Sequence, residues 1–256
     1  MDLKKVLGVG AVFAMGFALT VAGPAQAATP QVTTPQITTP HVTTDGAATI
    51  YVPSDFVSAL SDTRSTGHYE VAGTGLHIWT EGATSSDKVA EYVATNKPLA
   101  EVGEPSLDYV ATAGTIPPGF QLVVDFNGDG SADGILVGET IYSGDWWASS
   151  GSLQFVKDGA PSHEGGSGSS NHGTLDQWRT AFPNAIVQAF GFSLGSGVLG
   201  DWTLNAINFA GTHYTFANSV VLDSKNECKS GGWATSTIPV FRNQGDCVSY
   251  FASAKH

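Results

Sequence analysis

Apolar residues in this chain fall into short runs, each closed off by glycine, aspartate, asparagine or proline. That punctuation leaves room for many brief strands and little for long helices. Glycine at 31 residues and charged residues at only 13% point the same way. The runs predict strands at residues 68–71, 76–81, 89–93, 106–112, 120–126, 135–139, 145–149 and 153–156, and later at 186–194, 203–209 and 212–216. Ala210-Gly211 is a two-residue loop between the last two, which predicts an antiparallel hairpin because glycine accepts positive φ. One helix is predicted from the capping pair Thr174 and Gln177, with Trp178 and Phe182 on one face and Pro183 at its end. Strands and helices do not alternate, so a doubly wound sheet is excluded. The expected fold is all-β: one jelly-roll-like β-sandwich over residues 47–222, carrying one short helix.

Before this domain, residues 1–27 have the parts of a cleavable secretory signal. Lys4 and Lys5 give a basic start, residues 6–22 are apolar, and Ala25-Gln26-Ala27 supplies small residues for cleavage. The apolar run is short for a bilayer span and ends at Gly23-Pro24, so a retained membrane helix is not expected. No later run is long enough to halt translocation, and no cysteine stands at the cleavage point to take a lipid. Secretion into the extracellular medium is the expected fate. Residues 28–46 follow as a Thr/Pro-rich stalk in which Pro30, Pro35 and Pro40 recur in a repeat, a composition that stays extended. It offers acceptors for O-linked sugars or serves as a plain linker. The chain carries 23 acidic against 11 basic residues, net −12, with no cluster of Lys and Arg. Nucleic acid and anionic membrane surfaces are therefore poor partners, and membrane insertion of the mature form is not expected.

The sharpest local pattern lies at residues 124–137. Asp125, Asn127, Asp129 and Asp133 place oxygen donors at alternate positions, and Gly130 allows the chain to turn sharply. Such spacing aims ligands at a hard cation, and Ca2+ is the expected ion, in a structural role. An acidic turn that needs no metal is the competing reading. The run resembles the calcium loops of FG-GAP and VCBS repeats, which sit between two strands. Those families repeat the loop once per propeller blade, whereas this chain has it once, so the resemblance covers the loop alone. An EF-hand is excluded because Leu136 stands where a bidentate Glu is required.

Two further patterns invite a catalytic or metal reading. Gly191-Phe192-Ser193-Leu194-Gly195 matches a nucleophile elbow, but the glycines and serine that follow cannot open a helix, so no catalytic residue is assigned. His163, Glu164 and His172 flank a Gly/Ser loop over residues 163–173. Their spacing fits no compact zinc motif, and a solvated loop is the expected outcome, although long loops on a β scaffold often line binding sites. Trp146 and Trp147 are adjacent in an expected strand and must face opposite sides. One of them is thus a candidate to stack on a sugar, against the alternative that neighbouring loops cover both.

The last part, residues 223–256, holds the two cysteines, Cys228 and Cys247, which an exported chain is expected to pair. The Cys-x-x-Gly-Gly-Trp pattern at Cys228 and the Asn-Gln-Gly-x-Cys-Val pattern at Cys247 resemble the C-terminal ends of secreted proteins from high-GC Gram-positive bacteria. That resemblance implies a secreted sandwich-like architecture and brings no activity with it. The expected function is a secreted, non-catalytic binding protein, stabilised by calcium, whose ligand is a carbohydrate or another cell-surface component. A secreted hydrolase of serine esterase or glycosidase type and an extracellular structural or protein-binding module are the alternatives.

Overall fold

The computed structural model describes residues 41–42, 46–139 and 144–253. The expected leader and most of the stalk lie outside the described residues. The strands are β1 (His41–Val42), β2 (Ala47–Val52), β3 (Gly67–Ala72), β4 (Gly75–Thr80), β5 (Lys88–Pro98), β6 (Ser106–Ala113), β7 (Gly119–Asp125) and β8 (Gly134–Gly138). They continue with β9 (Trp146–Ala148), β10 (His172–Gly173), β11 (Ile186–Gly195), β12 (Asp201–Phe209) and β13 (Thr212–Asn218). Three helices, α1 (Gln154–Asp158), α2 (Leu175–Ala181) and α3 (Gln244–Ser253), complete the regular structure together with two short 3-10 turns.

These strands form an all-β sandwich of two sheets. The first runs β1-β2-β13-β12-β4-β3, with β6 paired to the remaining edge of β12; the second runs β10-β9-β8-β7-β11-β5. The stalk's last described residues enter the first sheet, since His41 and Val42 pair with Thr49 and Ala48. The β12–β13 hairpin turns at Ala210-Gly211 as its sequence requires, with φ of 50° and 76°. Both residues adopt the left-handed region, the geometry of a tight turn whose twist matches the strands. Among the named pairings the exception to antiparallel order is β13 with β2, which run parallel from His213–Ala47 to Asn218–Val52.

Alternation of side chains decides what lies between the sheets. β2 alternates exposed or half-buried residues with Ala48, Ile50 and Val52, all buried. Phe190 and Phe192 of β11 point inward, as do Leu122 and Val124 of β7 and Val89 and Val93 of β5. Phe190 of the second sheet stacks on Phe209 of the first with ring centroids 4.2 Å apart and planes 12° from parallel. Tyr214 closes on Phe190 at 5.0 Å. Fully burying one such ring is worth about 2–3 kcal/mol, so this aromatic group is a principal bond between the layers.

The capped helix is present as predicted. Thr174 accepts from the Gln177 amide while the Gln177 side chain accepts from the Thr174 amide, and Leu175 and Trp178 are buried beneath it. Residues 153–156, expected as a strand, instead open α1, with Leu153 as its N-terminal cap. Only Val156 of that turn is fully buried, whereas Phe155 and Leu153 are exposed, and four apolar residues are too few to distinguish a helical face from a strand.

After β13 the chain builds a small second core from Leu222, Phe241 and the bonded pair Cys228–Cys247, with Trp233, Val248 and Phe251 packed on it. The bridge links residues separated by 19 positions. Closing a loop of that size stabilises the folded tail by about 3 kcal/mol, chiefly by restricting the unfolded chain. Replacing both cysteines by serine is expected to cost the amides of Phe241 and Val248 that much protection in native-state hydrogen exchange. The amides of Leu122 and Phe190 should keep theirs, and an equal loss at all four positions would show that tail and sandwich unfold together.

Candidate functional site

One face of the second sheet packs the core; the other carries a small apolar cluster and, beside it, an open cleft. Along β11 the outward positions are Ala189, Gly191 and Ser193, and along β7 they begin with Gly119 and Gln121. These positions are covered: Ala189 and Ser193 are buried, and Ala189 packs with Ala90, Tyr92 and Val123 in a small apolar cluster on this face. Gly191 must be glycine, since a Cβ there would lie 2.0 Å from the Glu91 carbonyl oxygen. Beside this cluster a cleft of about 540 Å³ opens along β8 and β9. Its floor and walls include Gln121, Val137, Glu139, Trp147, Ser149 and Ser196. A smaller cavity of about 270 Å³ continues along the same face beside Tyr92, Val123 and Ile135.

The two tryptophans separate as strand alternation demands. Trp146 pairs across from Gly138, points inward and is packed in the core, which removes it from the ligand-contacting candidates. Its carbonyl accepts the indole N–H of Trp178. Trp147 sits opposite Val137 on the outer face, in the wall of the cleft, but at 8% exposure it too is buried, so neighbouring groups cover both tryptophans and leave Trp147 only an edge on the cleft. The loop over residues 163–173 reaches across to it. Gly168 lies flat on the indole, and a Cβ at that position would be 2.0 Å from Trp147 Cε2.

Polar groups of the cleft are held in place from below. The Tyr92 hydroxyl donates to Gln121 Oε1 in a buried hydrogen bond that spans the boundary between the two cavities. Burial pushes the Tyr92 hydroxyl pKa well above its ordinary value, with smaller contributions from Asp62 and Glu91, so it stays a donor. With Oε1 engaged, the Gln121 amide offers its NH2 donors to the cleft. Glu139 lies over Gly119, and burial raises its carboxyl above the usual range. None of Tyr92, Gln121 and Glu139 stands out in the sequence. No local pattern marks them, since each is a lone polar group within or beside an apolar run.

The loop roof is fastened by His172. Its Nδ1 lies 2.8 Å from an Asp145 carboxylate oxygen and its Nε2 lies 2.8 Å from the Glu164 carbonyl. Both partners are acceptors, so the imidazolium satisfies both at once. The Glu164 carbonyl first, and then the Asp145 carboxylate, raise the pKa of His172. His163 is engaged elsewhere, 3.2 Å from Asn171 Oδ1. The two histidines and Glu164 are thus spent on ordering the loop.

Asp125, Asn127, Asp129 and Asp133 share the turn between β7 and β8, each with its side-chain oxygen turned to a backbone amide. Asp125 accepts from the amides of Gly128, Asp129 and Gly130 at 2.7, 3.3 and 2.8 Å. Asn127 Oδ1 accepts from the Asp129 amide, Asp129 from Ser131, and Asp133 from Phe126. Those bonds, the Ser131 amide foremost, hold the Asp129 carboxyl below its ordinary pKa. Gly128 and Gly130 take φ of 79° and 93°, which the turn requires. The donors are of the type calcium prefers, and amide bonds do not exhaust a carboxylate, which has about four lone-pair sites. Among the described residues, no group of three or more His, Cys, Asp or Glu side chains is placed to hold a metal ion.

Ser193 is an ordinary strand residue. It lies within β11, its hydroxyl donates to the Gly195 carbonyl at 3.1 Å, and no helix follows before β12. His213 and Asp201 belong to the first sheet, bonded to Asn208 and His77 respectively. These three do not form a triad.

No protein-family model matches the chain, and neither do any curated protein or any solved structure.

The fastening by His172 has a signed pH dependence. A pKa raised on folding contributes stability below the unfolded value of about 6.5 and loses it as pH rises through the folded value. His172→Ala is therefore expected to lower the urea midpoint more at pH 5.5 than at pH 9. Equal losses at the two pH values would assign the residue a packing role only.

Proposed function

We propose that this chain is a secreted, non-catalytic binding protein whose outer-face cleft takes a carbohydrate. The observation that carries the reading is a cleft on a rigid sheet where Gln121, Glu139 and a row of serines stand beside the edge of Trp147, an indole that is 8% exposed. Sugars present apolar C–H faces and a rim of hydroxyls, and an indole edge with fixed amide and hydroxyl groups answers both. The cleft is preorganised, because Tyr92 holds Gln121 and Gly168 holds Trp147. Export is supported by the sequence of residues 1–27 and by the disulfide, which forms in oxidising compartments. None of the described helices is long and apolar enough to cross a membrane.

A glycan array with the purified domain, followed by calorimetry on the best hit, tests the reading. Trp147→Ala is expected to weaken binding several-fold, consistent with about 1 kcal/mol for one aromatic contact, and Gln121→Ala by a similar factor. A blank array, or unchanged affinity in both variants, removes its basis.

Calcium binding by residues 125–133 belongs to the same proposal as a structural aid. Three carboxylates in one short turn repel one another, and a divalent cation relieves that repulsion while the Asp125 amide bonds keep the turn in shape. An affinity of about 0.1–1 mM suffices outside a cell. Binding to the folded state alone then raises stability by roughly 1–3 kcal/mol at 10 mM calcium. A higher melting temperature in calcium than in EGTA is expected, and Asp129→Ala should abolish the difference. Coincident melts would leave the turn held by its amide bonds alone.

A further inference from the structure

Glu139 is the sole ionisable side chain among the described residues that line the larger cleft. It also borders a smaller cavity of about 180 Å³ together with Glu104 and Asp145. Those two carboxylates already have cations: Glu104 lies 3.3 Å from Arg179, and Asp145 lies 2.8 Å from His172. Glu139 has none within ion-pair distance among the described residues. The sheet makes room for it, because a Cβ on Gly119 would come within 2.6 Å of Glu139 Cγ. A half-buried carboxylate on a cleft wall, with its neighbours' charges already matched, calls for a cation from outside the chain.

We propose that the ligand of this cleft carries a protonated primary amine that pairs with Glu139, so that the cleft prefers amino sugars over neutral or acidic ones. The inference rests on the carbohydrate reading and narrows it. An ammonium donates up to three hydrogen bonds, and a charge-assisted bond to a partly desolvated carboxylate is about twice as strong as a neutral one. N-acetylation removes that charge. A uronic acid would instead bring a second carboxylate against Glu139 with no Lys or Arg in the cleft to offset it.

The preference has a predicted direction with pH. Burial raises the Glu139 pKa, and the ion pairs at Glu104 and Asp145 leave few free charges to oppose that. Discrimination is full above the Glu139 pKa and fades as pH falls through it.

The test compares a glucosamine tetramer, its fully N-acetylated counterpart and a glucose tetramer by calorimetry at pH 6. The glucosamine tetramer is expected to bind at least tenfold tighter than either of the others. In Glu139→Gln, with folding checked by thermal melt, the ratio should collapse towards one. In the unmodified protein the ratio should shrink as the pH is lowered through the acid range, which keeps the test alive if the variant misfolds. Equal affinities, or a preference that survives Glu139→Gln, would overturn the amine inference. Binding of the glucose tetramer that Trp147→Ala abolishes, without any amine preference, would overturn it while leaving the carbohydrate reading intact. Failure of all three sugars to bind would sink both.

Discussion

The alternation in β11 is the constraint on which the packing of both faces of the second sheet depends. Phe190 and Phe192 fill the space between the sheets, while Ala189 packs with Ala90, Tyr92 and Val123 in a small apolar cluster on the opposite face. One strand thereby sets the thickness of the sandwich on one side and supports a second, thinner apolar layer on the other. Because side chains alternate with period two, a slip of one residue would send both phenylalanines onto the outer face and empty the core. Pairing on both flanks, with β5 and with β7, makes that slip costly. The close approach of Gly191 to the Glu91 carbonyl adds a local pin, since a neighbouring residue with a side chain does not fit there.

Around this strand, the polar groups divide into those that brace and those left available. Asp125 takes three amides of its own turn, His172 ties the Gly/Ser loop to Asp145, and Arg179 joins Asp176, Glu104 and the backbone of Leu99. Gln121, buried and braced by Tyr92, and half-buried Glu139 stand apart because both line the cleft. Glycine serves the same division. Gly168 lets the loop rest on Trp147, whereas Gly119 leaves a gap that Glu139 occupies. The loop is therefore more ordered than its composition suggests, with both histidines anchoring it.

Much of the sandwich was legible because local pattern and tertiary role agree. The hairpin at Ala210-Gly211, the Thr174 cap, the opposite faces of Trp146 and Trp147 and the pairing of Cys228 with Cys247 all follow from chemistry within a few residues or from a count of two cysteines. Elements were lost where the deciding contact is distant or the buried face is narrow. β2 escaped notice because its partner β13 is far along the chain, α3 because Cys247 is its one buried residue, and α1 because Val156 alone anchors it. The candidate site was half visible. A tryptophan pair announces itself, but Gln121 and Glu139 resemble any solvated polar residue until the sheet shows which neighbours are too small to cover them.

The parallel pairing of β2 with β13 carries a consequence for how the chain reaches this state. Ala48 and Thr215, 167 positions apart, are neighbours in it. Contacts so remote in sequence must wait for a large loop to close, and they slow folding relative to hairpins that form locally. The opening strand of the domain thus has no seat in the first sheet until nearly all of the sandwich has been delivered. A chain built this way holds its first long strand in reserve until its last hairpin is made, and the timing is written into the topology rather than into any single residue.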